Sequence, residues 1–125
     1  MSVPETTKKL IENYLHFFKK RHRSPMDLKP ILSEKLHFRS PLGEFHTAES
    51  FMVDLERDAL EIRELNIRQI LVDGAKACAL YDVVSNDPEI GTLVFSEWFE
   101  TSGGKISTIT STYDASDIRR SMSRI

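Results

Sequence analysis

The sequence predicts an α+β fold in which three helices precede a curved sheet of mixed or antiparallel strands. Helical patterns fill the first half of the chain, and four β-rich segments follow from residue 65 onward. Short connections separate those segments, and they favour antiparallel neighbours because a parallel crossover needs a dozen residues or more. The β-rich runs between Gly91 and Asp114, read with a short strand that stops at Ser40, suggest a sheet that curves around a helix and encloses a pocket.

The bulk composition predicts a single globular domain over residues 1–125 that can bury its own core. The net charge of −2 and the isoelectric point near 6.1 give no electrostatic reason to expect nucleic acid or an anionic membrane as a partner. No apolar run is long enough to span a membrane, and the first residues lack the pattern of a signal peptide, so we expect a cytoplasmic protein. Cys78 is the only cysteine and has apolar neighbours, which favours a small core residue over a nucleophile.

The first helix begins at Ser2, which stands at capping-box spacing from Glu5. Its apolar stripe, with Phe17 at the edge, consists of Leu10, Ile11, Tyr14, Leu15 and Phe18. The basic run over residues 19–23 ends this helix and stabilises the negative end of its dipole. We favour that interpretation over RNA binding because no aromatic side chains are interleaved with the run.

Two further helices and a short hairpin are expected before the sheet. The second helix starts at Asp27, in preference to Ser24-Pro25, and carries Leu28, Ile31 and Leu32. A strand over residues 36–40, a turn over residues 41–43 and a brief returning strand over residues 44–46 follow it. Thr47 then caps a third helix, whose apolar positions are Phe51, Met52, Leu55, Ala59 and Ile62.

The remaining chain is predicted to be an antiparallel meander with two different faces. Its strands lie at residues 65–72, 76–85, 90–100 and 105–113, and residues 117–125 form a loose tail or a single helical turn. On the third of these strands, one side carries Leu93, Phe95, Glu97 and Phe99 and the other carries Val94, Ser96, Trp98 and Glu100. The first side is expected to face the helices.

The composition of the other side of the sheet indicates a homodimer with two-fold symmetry. This side bears Val94, Trp98, Thr108 and Thr110, which together are too apolar and too neutral for a face wholly in water. The alternative is a single Trp98 that packs beneath long neighbours of its own chain.

These elements and certain residues resemble the nuclear-transport-factor-2-like (cystatin-like) superfamily, and within it the SnoaL-like and ketosteroid-isomerase-like group. The residues that carry the resemblance, besides the order of elements, are Phe38-Arg39-Ser40-Pro41-Leu42-Gly43, Ser96-Glu97-Trp98-Phe99, Gly104-Lys105-Ile106 and Tyr113-Asp114. The resemblance implies a cone-shaped half-barrel with an apolar pocket between the first helix and the concave face of the sheet. Such proteins include isomerases, polyketide cyclases, dehydratases, epoxide hydrolases and non-catalytic binding or scaffold members, and they commonly pair through the sheet.

The resemblance also implies roles for three residues. Tyr14 and a protonated Glu97 would stabilise an enolate oxygen, whereas the base at the end of the first strand falls on Ser40. An unassisted serine hydroxyl cannot act as a general base near neutral pH, so the proton-transfer mechanism lacks its main residue. From the residues alone, packing in the core is favoured over a functional role for Tyr14. Glu97 is either a pocket residue, the partner of an arginine such as Arg68, or a residue at an open pocket mouth.

Other residues are candidates to replace the missing base or to form the walls of the pocket. His46 at the pocket entrance and Asp82 on a strand are candidates, and His37 and His16 are poorer ones. Neither a metal nor a cofactor is expected, because no two histidines have ligand spacing on one element. The apolar walls are assigned to Phe18, Phe38, Phe51, Leu55 and Phe95.

The sequence thus leaves two hypotheses about function. The preferred one is a small-molecule pocket protein, either a binding protein or an isomerase-, cyclase- or hydratase-like enzyme, for an apolar steroid- or polyketide-like compound. The alternative is a non-catalytic dimeric interaction module of the same fold, whose cone is filled by its own side chains.

Overall fold

The computed structural model describes residues 2–20, 22–57 and 61–123. Its helices are α1 (Val3–Lys19), a 3₁₀ helix (Pro25–Ile31), α2 (Ala48–Glu56) and α3 (Ser116–Ser123). Its strands are β1 (Leu32–Ser40), β2 (Gly43–Phe45), β3 (Ile62–Asp73), β4 (Lys76–Ser85), β5 (Thr92–Ser102) and β6 (Lys105–Thr112). No helix in the described ranges is both long enough and apolar enough to cross a membrane.

The six strands form one curved, open sheet in the order β2-β1-β6-β5-β4-β3. Every neighbouring pair is antiparallel except β1 and β6, which are parallel, so the sheet is mixed as predicted. Register shifts interrupt the β1–β6, β3–β4 and β5–β6 pairs. Such shifts bend a strand and increase its twist, which accounts for the curvature of the sheet around the helices.

Helix α1 packs on the concave side of the sheet, as the sequence predicts. Ser2 caps the helix as predicted, because the Glu5 backbone N–H donates to Ser2 Oγ at 3.3 Å. The Glu5 carboxylate accepts from the Ser2 hydroxyl at 3.0 Å rather than from its backbone N–H, so one half of the predicted capping box forms. Buried Thr7 places its hydroxyl 2.8 Å from the Gly74 carbonyl oxygen, which fixes the helix against the β3–β4 turn. The rings of Tyr14 and Phe99 meet edge to face at 5.5 Å and join the helix to β5.

The predicted inner face of β5 is confirmed. Leu93, Phe95, Glu97 and Phe99 are all buried. The inner residues of the neighbouring strand β4 are also buried, and they are Ala77, Ala79, Tyr81 and Val83. Cys78 therefore lies on the outer face, half-buried and in register with Leu71 and Trp98, so its prediction as a core residue is wrong. Its apolar sequence neighbours are inside because side chains alternate along a strand.

The second helix and its surroundings differ from the prediction. It is a 3₁₀ helix that starts at Pro25 rather than at Asp27. Pro30 lies inside this helix, where its missing N–H removes one helical hydrogen bond, so the helix is short and ends at Ile31. Consequently Leu32 belongs to β1, which begins four residues earlier than predicted.

Other element boundaries also move. Ile62 belongs to β3 rather than to the third helix, and β5 begins at Thr92 rather than at residue 90. Ala59 lies outside the described residues. On α1, Phe17 is buried and Phe18 is only half-buried, the reverse of their predicted order.

A fourth helix, α3, lies where the sequence predicts a loose tail or a single helical turn, so the described residues form one helix more than the three predicted. Asp114 Oδ1 accepts from the Ser116 backbone N–H at 3.0 Å at its start, and Ile118 is only 4% exposed. Arg119 donates to the Pro41 carbonyl oxygen and ties the helix to the β1–β2 turn. Burial of one apolar residue and two polar contacts therefore order a segment whose sequence is mostly polar.

Candidate functional site

A cavity of about 250 Å³ lies inside the cone, between the helices and the concave face of the sheet. The structure brings all eight sequence-predicted site residues together on its walls, and they are Tyr14, Phe18, Ser40, Phe38, Phe51, Leu55, Phe95 and Glu97. Phe38 and Phe51 stack at 4.5 Å and form one apolar wall.

Glu97 is the polar centre of this cavity. Its side chain lies on the inner face of β5, and the residue is only 3% exposed. Tyr81 on β4 donates its hydroxyl proton to Glu97 Oε1 at 2.6 Å. Ser111, the residue opposite Glu97 on β6, also hydrogen-bonds the carboxyl group. Two neighbouring strands thus hold the carboxyl group in place.

Burial controls the charge of Glu97. Desolvation raises the pKa of Glu97 to about 7, although hydrogen bonds from Tyr81 and Ser111 act in the opposite direction. Burial, followed by the neighbouring Glu97 and Tyr14, raises the pKa of Tyr81 well above its ordinary range. Near neutral pH a large fraction of Glu97 is therefore protonated, and it can then donate a hydrogen bond as well as accept one.

Arg68 is not the partner of Glu97. Its Nε donates to Asp82 Oδ2 at 3.0 Å, and both side chains lie on the outer face of the sheet. The predicted pairing of Glu97 with Arg68 is therefore wrong, and no arginine among the described residues forms an ion pair with Glu97. Asp82, on the outer face, does not replace the missing base in the cavity.

Tyr14 is both a packed core residue and a residue of the cavity wall, the two interpretations that the sequence leaves open. It is 2% exposed, and its ring packs edge to face against Phe18 at 5.1 Å as well as against Phe99. The same residue forms part of the cavity wall and lies close enough to Tyr81 to raise its pKa. It is thus a core aromatic residue at the edge of the candidate site.

Ser40 lies at the cavity mouth, where its hydroxyl oxygen belongs to a turn. That oxygen accepts from the Leu42 backbone N–H at 3.1 Å and lies 3.5 Å from the Gly43 carbonyl oxygen. His46 does not lean over the entrance, because it stacks on His37 on the outer face of the β1–β2 hairpin. The described cavity walls include no histidine, and their carboxylates are Glu97 and the exposed Asp54.

Several wall residues were missed by sequence reasoning. Two of them, Tyr81 and Tyr113, stack on the predicted wall residue Phe95, with ring centroids 5.2 Å and 4.2 Å from it. Ile118 and Met122 come from α3 and line the cavity from the C-terminal side. The alternation of side chains along β4 could have predicted that Tyr81 faces the cavity. Its contact with Glu97 depends on the register between β4 and β5, which the sequence does not show.

A second, larger depression of about 900 Å³ lies near the end of α1 and shares Phe18, Leu55 and Ile62 with the first cavity. Charged residues of both signs line it, including Lys19, Lys20, Arg63, Glu56 and Glu61. Water satisfies such a lining well, whereas ligand sites are mostly apolar with a few placed polar groups. The smaller cavity around Glu97 is therefore the better candidate site.

Comparisons with solved structures identify the fold. The chain superposes on a proposed ketosteroid isomerase from Kribbella flavida with a TM-score of 0.79 and 18% identity, over 91% of this chain and 82% of that one. It is similar to an NTF2-like protein of unknown function from Cytophaga hutchinsonii, with a TM-score of 0.74, 20% identity and coverage of 90% and 94%. It is also similar to a proposed isomerase of the SnoaL-like family from Agrobacterium tumefaciens, with a TM-score of 0.70, 12% identity and coverage of 88% and 98%.

The chain therefore has the nuclear-transport-factor-2-like α+β fold that the sequence resemblance implies. No protein-family sequence model matches it, and no functionally curated protein matches it in sequence. The names of these structural neighbours cover isomerases and a protein of unknown function, so the fold alone does not define an activity.

Proposed function

We propose that this protein binds a compact apolar molecule that carries one hydrogen-bonding oxygen, and that Glu97 contacts this oxygen. The observation that carries the proposal is the fully buried carboxyl group on the wall of an apolar cavity, held by Tyr81 and Ser111. Burial of a carboxyl group costs stability unless its oxygen atoms have hydrogen-bond partners, and a ligand would add one to those that Tyr81 and Ser111 supply. A ligand carbonyl or hydroxyl group would accept from or donate to it.

The size of the cavity limits the ligand. Its volume of about 250 Å³ lies below the range of roughly 300–1,000 Å³ that is typical of sites for drug-sized ligands. We therefore favour a one- or two-ring compound over a complete steroid or a long polyketide. Such a ligand would lie between the Phe38–Phe51 wall and the Tyr81–Phe95–Tyr113 stack.

Catalysis is a narrower form of the same proposal. An isomerase-, cyclase- or hydratase-like reaction would use Glu97 as the proton donor or acceptor, because its pKa of about 7 matches a neutral working pH. Ser40 would orient the substrate rather than remove a proton, since its hydroxyl is engaged in the turn. We place the protein in the cytoplasm, where the single unpaired Cys78 would stay reduced.

Binding of 2-naphthol, measured by isothermal titration calorimetry, tests the proposal. The wild-type protein should bind 2-naphthol about three- to tenfold more tightly than naphthalene, because only the naphthol can hydrogen-bond Glu97. Glu97→Leu should abolish this preference while naphthalene still binds. Glu97→Gln should change the affinity for 2-naphthol more than it changes the free energy of unfolding at acidic pH.

Glu100→Gln is the matched control, because Glu100 lies on the same strand but on the exposed outer face. Its affinities should equal those of the wild-type protein. Equal binding of 2-naphthol and naphthalene, or a preference that survives Glu97→Leu, would show that Glu97 is a structural residue only.

We also propose that two copies of the chain pair through the outer face of the sheet that bears Val94, Trp98, Thr108 and Thr110. Val94 and Trp98 are 48% and 57% exposed, and Leu71 on β3 is 59% exposed. Trp98 is in register with Cys78 and Thr110, so the apolar residues form one patch across several strands. A patch of this kind, rimmed by polar residues, is typical of an interaction surface. A dimeric interaction module remains the alternative function.

Trp98→Ala should convert the dimer into a monomer at micromolar concentration, as measured by sedimentation velocity. Because Trp98 is the only tryptophan, its emission in the wild-type protein should also shift to the red on dilution. Binding of 2-naphthol should persist in the variant, since Trp98 does not line the cavity. A wild-type protein that sediments as a monomer at micromolar concentration would refute the dimer but not the pocket.

A further inference from the structure

The outer face of the β1–β2 hairpin carries a cluster of two histidines and a carboxylate. Phe38 pairs with Phe45 in the hairpin, and the same register sets His37 opposite His46. Glu44 lies diagonally across from His37, opposite Arg39. Side chains directly opposite each other on antiparallel strands have Cβ atoms about 5 Å apart, so the register itself brings the three groups together.

The three side chains of this cluster lie close enough to reach one ion once the stacked imidazole rings rotate. Glu44 Oε2 lies 3.6 Å from His37 Nε2 and 3.5 Å from His46 Nε2. The three ligand atoms all lie within 4.8 Å of one another. Two ligands of a tetrahedral ion, each about 2.0–2.1 Å from the metal, lie about 3.4 Å apart. His37 Nε2 is inaccessible to solvent and has no hydrogen-bond partner among the described residues.

We propose that His37, Glu44 and His46 form a binding site for a zinc ion on the outer face of the hairpin. Two imidazoles and one carboxylate are a common ligand set for zinc, with the fourth position open to water or to a ligand. Oxygen-seeking Mg²⁺ and Ca²⁺ are not expected there, because imidazole nitrogen is a poor ligand for them.

Arg39 leaves the carboxylate available for the metal. Its Nε contacts Glu44 Oε1 at 2.9 Å, whereas the histidines face the other oxygen, Oε2. The contact with Arg39 orients the carboxylate and occupies the oxygen that the ion does not need, as outer-shell partners do in metal sites. On β6, the strand on the other side of β1, Thr108 pairs with His37 and Thr110 pairs with Arg39, and neither threonine carries a charge.

Without a metal, the same cluster would be a surface ion-pair network. Desolvation raises the pKa of Glu44, but Arg39 and then His37 and His46 lower it, and the net result is a pKa below the usual value. The carboxylate is therefore ionised at neutral pH with or without a metal. The ion-pair network and the zinc site differ in their selectivity for cations. An ion-pair network has no preference among divalent cations, whereas a chelate does.

Metal binding at this place would also stabilise the cavity wall. Strand β2 is only three residues long and lies at the edge of the sheet. Phe38 and Phe45, on the inner face of the same hairpin, line the cavity. An ion that joins the two strands from outside would therefore hold this wall in place.

Titration of the intact protein with zinc chloride, followed by calorimetry, tests the site. The wild-type protein should bind one Zn²⁺ per chain with micromolar affinity and should show no heat with Mg²⁺. His37→Gln, Glu44→Gln and His46→Gln should each weaken zinc binding by at least about tenfold, which is the lower end of the loss caused even by changes to outer-shell partners. His16→Gln and His22→Gln are the matched controls, because both histidines are exposed and distant from the hairpin in sequence, and they should bind as the wild-type protein does.

Imidazole NMR signals give a second, independent readout that does not depend on the variants folding. Zinc at one equivalent should shift the signals of His37 and His46 and leave those of His16 and His22 unchanged. The proposal is overturned if zinc fails to bind, if it shifts the signals of His16 or His22 instead, or if the three hairpin variants that fold bind zinc as tightly as the wild-type protein.

Discussion

Between about pH 4 and about pH 8, the wild-type protein should lose about 3 kcal/mol of its free energy of unfolding relative to the Glu97→Gln variant. The folded protein holds the Glu97 proton up to a pKa of about 7, whereas the unfolded chain releases it near 4.5. Between these values the folded state binds more protons than the unfolded state. Stability therefore falls as the pH rises through this window and is constant above it.

Urea unfolding at several pH values measures this effect. The difference between the wild-type protein and Glu97→Gln isolates the contribution of Glu97, because all other titrating groups are common to both. Glu100→Gln should follow the wild-type curve. Parallel curves for the wild-type protein and Glu97→Gln would mean that Glu97 is ionised in the fold at neutral pH, contrary to this account.

Phe99→Ala should lower the free energy of unfolding by about 3–5 kcal/mol, the usual loss for a fully buried aromatic side chain. Phe99 is 2% exposed and packs against Tyr14 on α1, so its removal leaves a hole between the sheet and the helix. Phe18→Ala should cost clearly less, about 1–2 kcal/mol, because Phe18 is half-buried and already borders open space.

Chemical denaturation of the two variants under one condition makes the comparison. A loss for Phe18→Ala as large as that for Phe99→Ala would show that Phe18 is close-packed and that the cone is filled by its own side chains. The dimeric interaction module would then be the better interpretation of the chain.

The sequence predicted those features that depend on local periodicity. The helical spacing of Leu10, Ile11 and Tyr14 identifies the buried face of α1, and the alternation on β5 identifies its inner face. The order of Phe17 and Phe18 was wrong, because both lie at the edge of the apolar stripe and a small rotation of α1 exchanges them. Boundaries near prolines were wrong because Pro30 fits either a helix start or a short 3₁₀ helix.

Features that depend on strand register or on tertiary contacts could not be predicted. Tyr81 and Glu97 are 16 residues apart in the chain, and only the pairing of β4 with β5 brings their side chains together. His37 and His46 become neighbours through the hairpin register in the same way. Helix α3 depends on the burial of Ile118 and the cap at Asp114, so its mostly polar sequence predicted only a tail or a single helical turn.

The most direct test of the central claim is an NMR titration of the Glu97 side-chain carboxyl carbon, assigned by its absence in Glu97→Gln. The titration midpoint should lie near pH 7, and saturation with 2-naphthol should shift it, because the hydroxyl group of the probe contacts the carboxyl group. A midpoint near 4.5, or one that 2-naphthol leaves unchanged, would contradict the neutral, ligand-facing carboxyl group on which the proposed function depends.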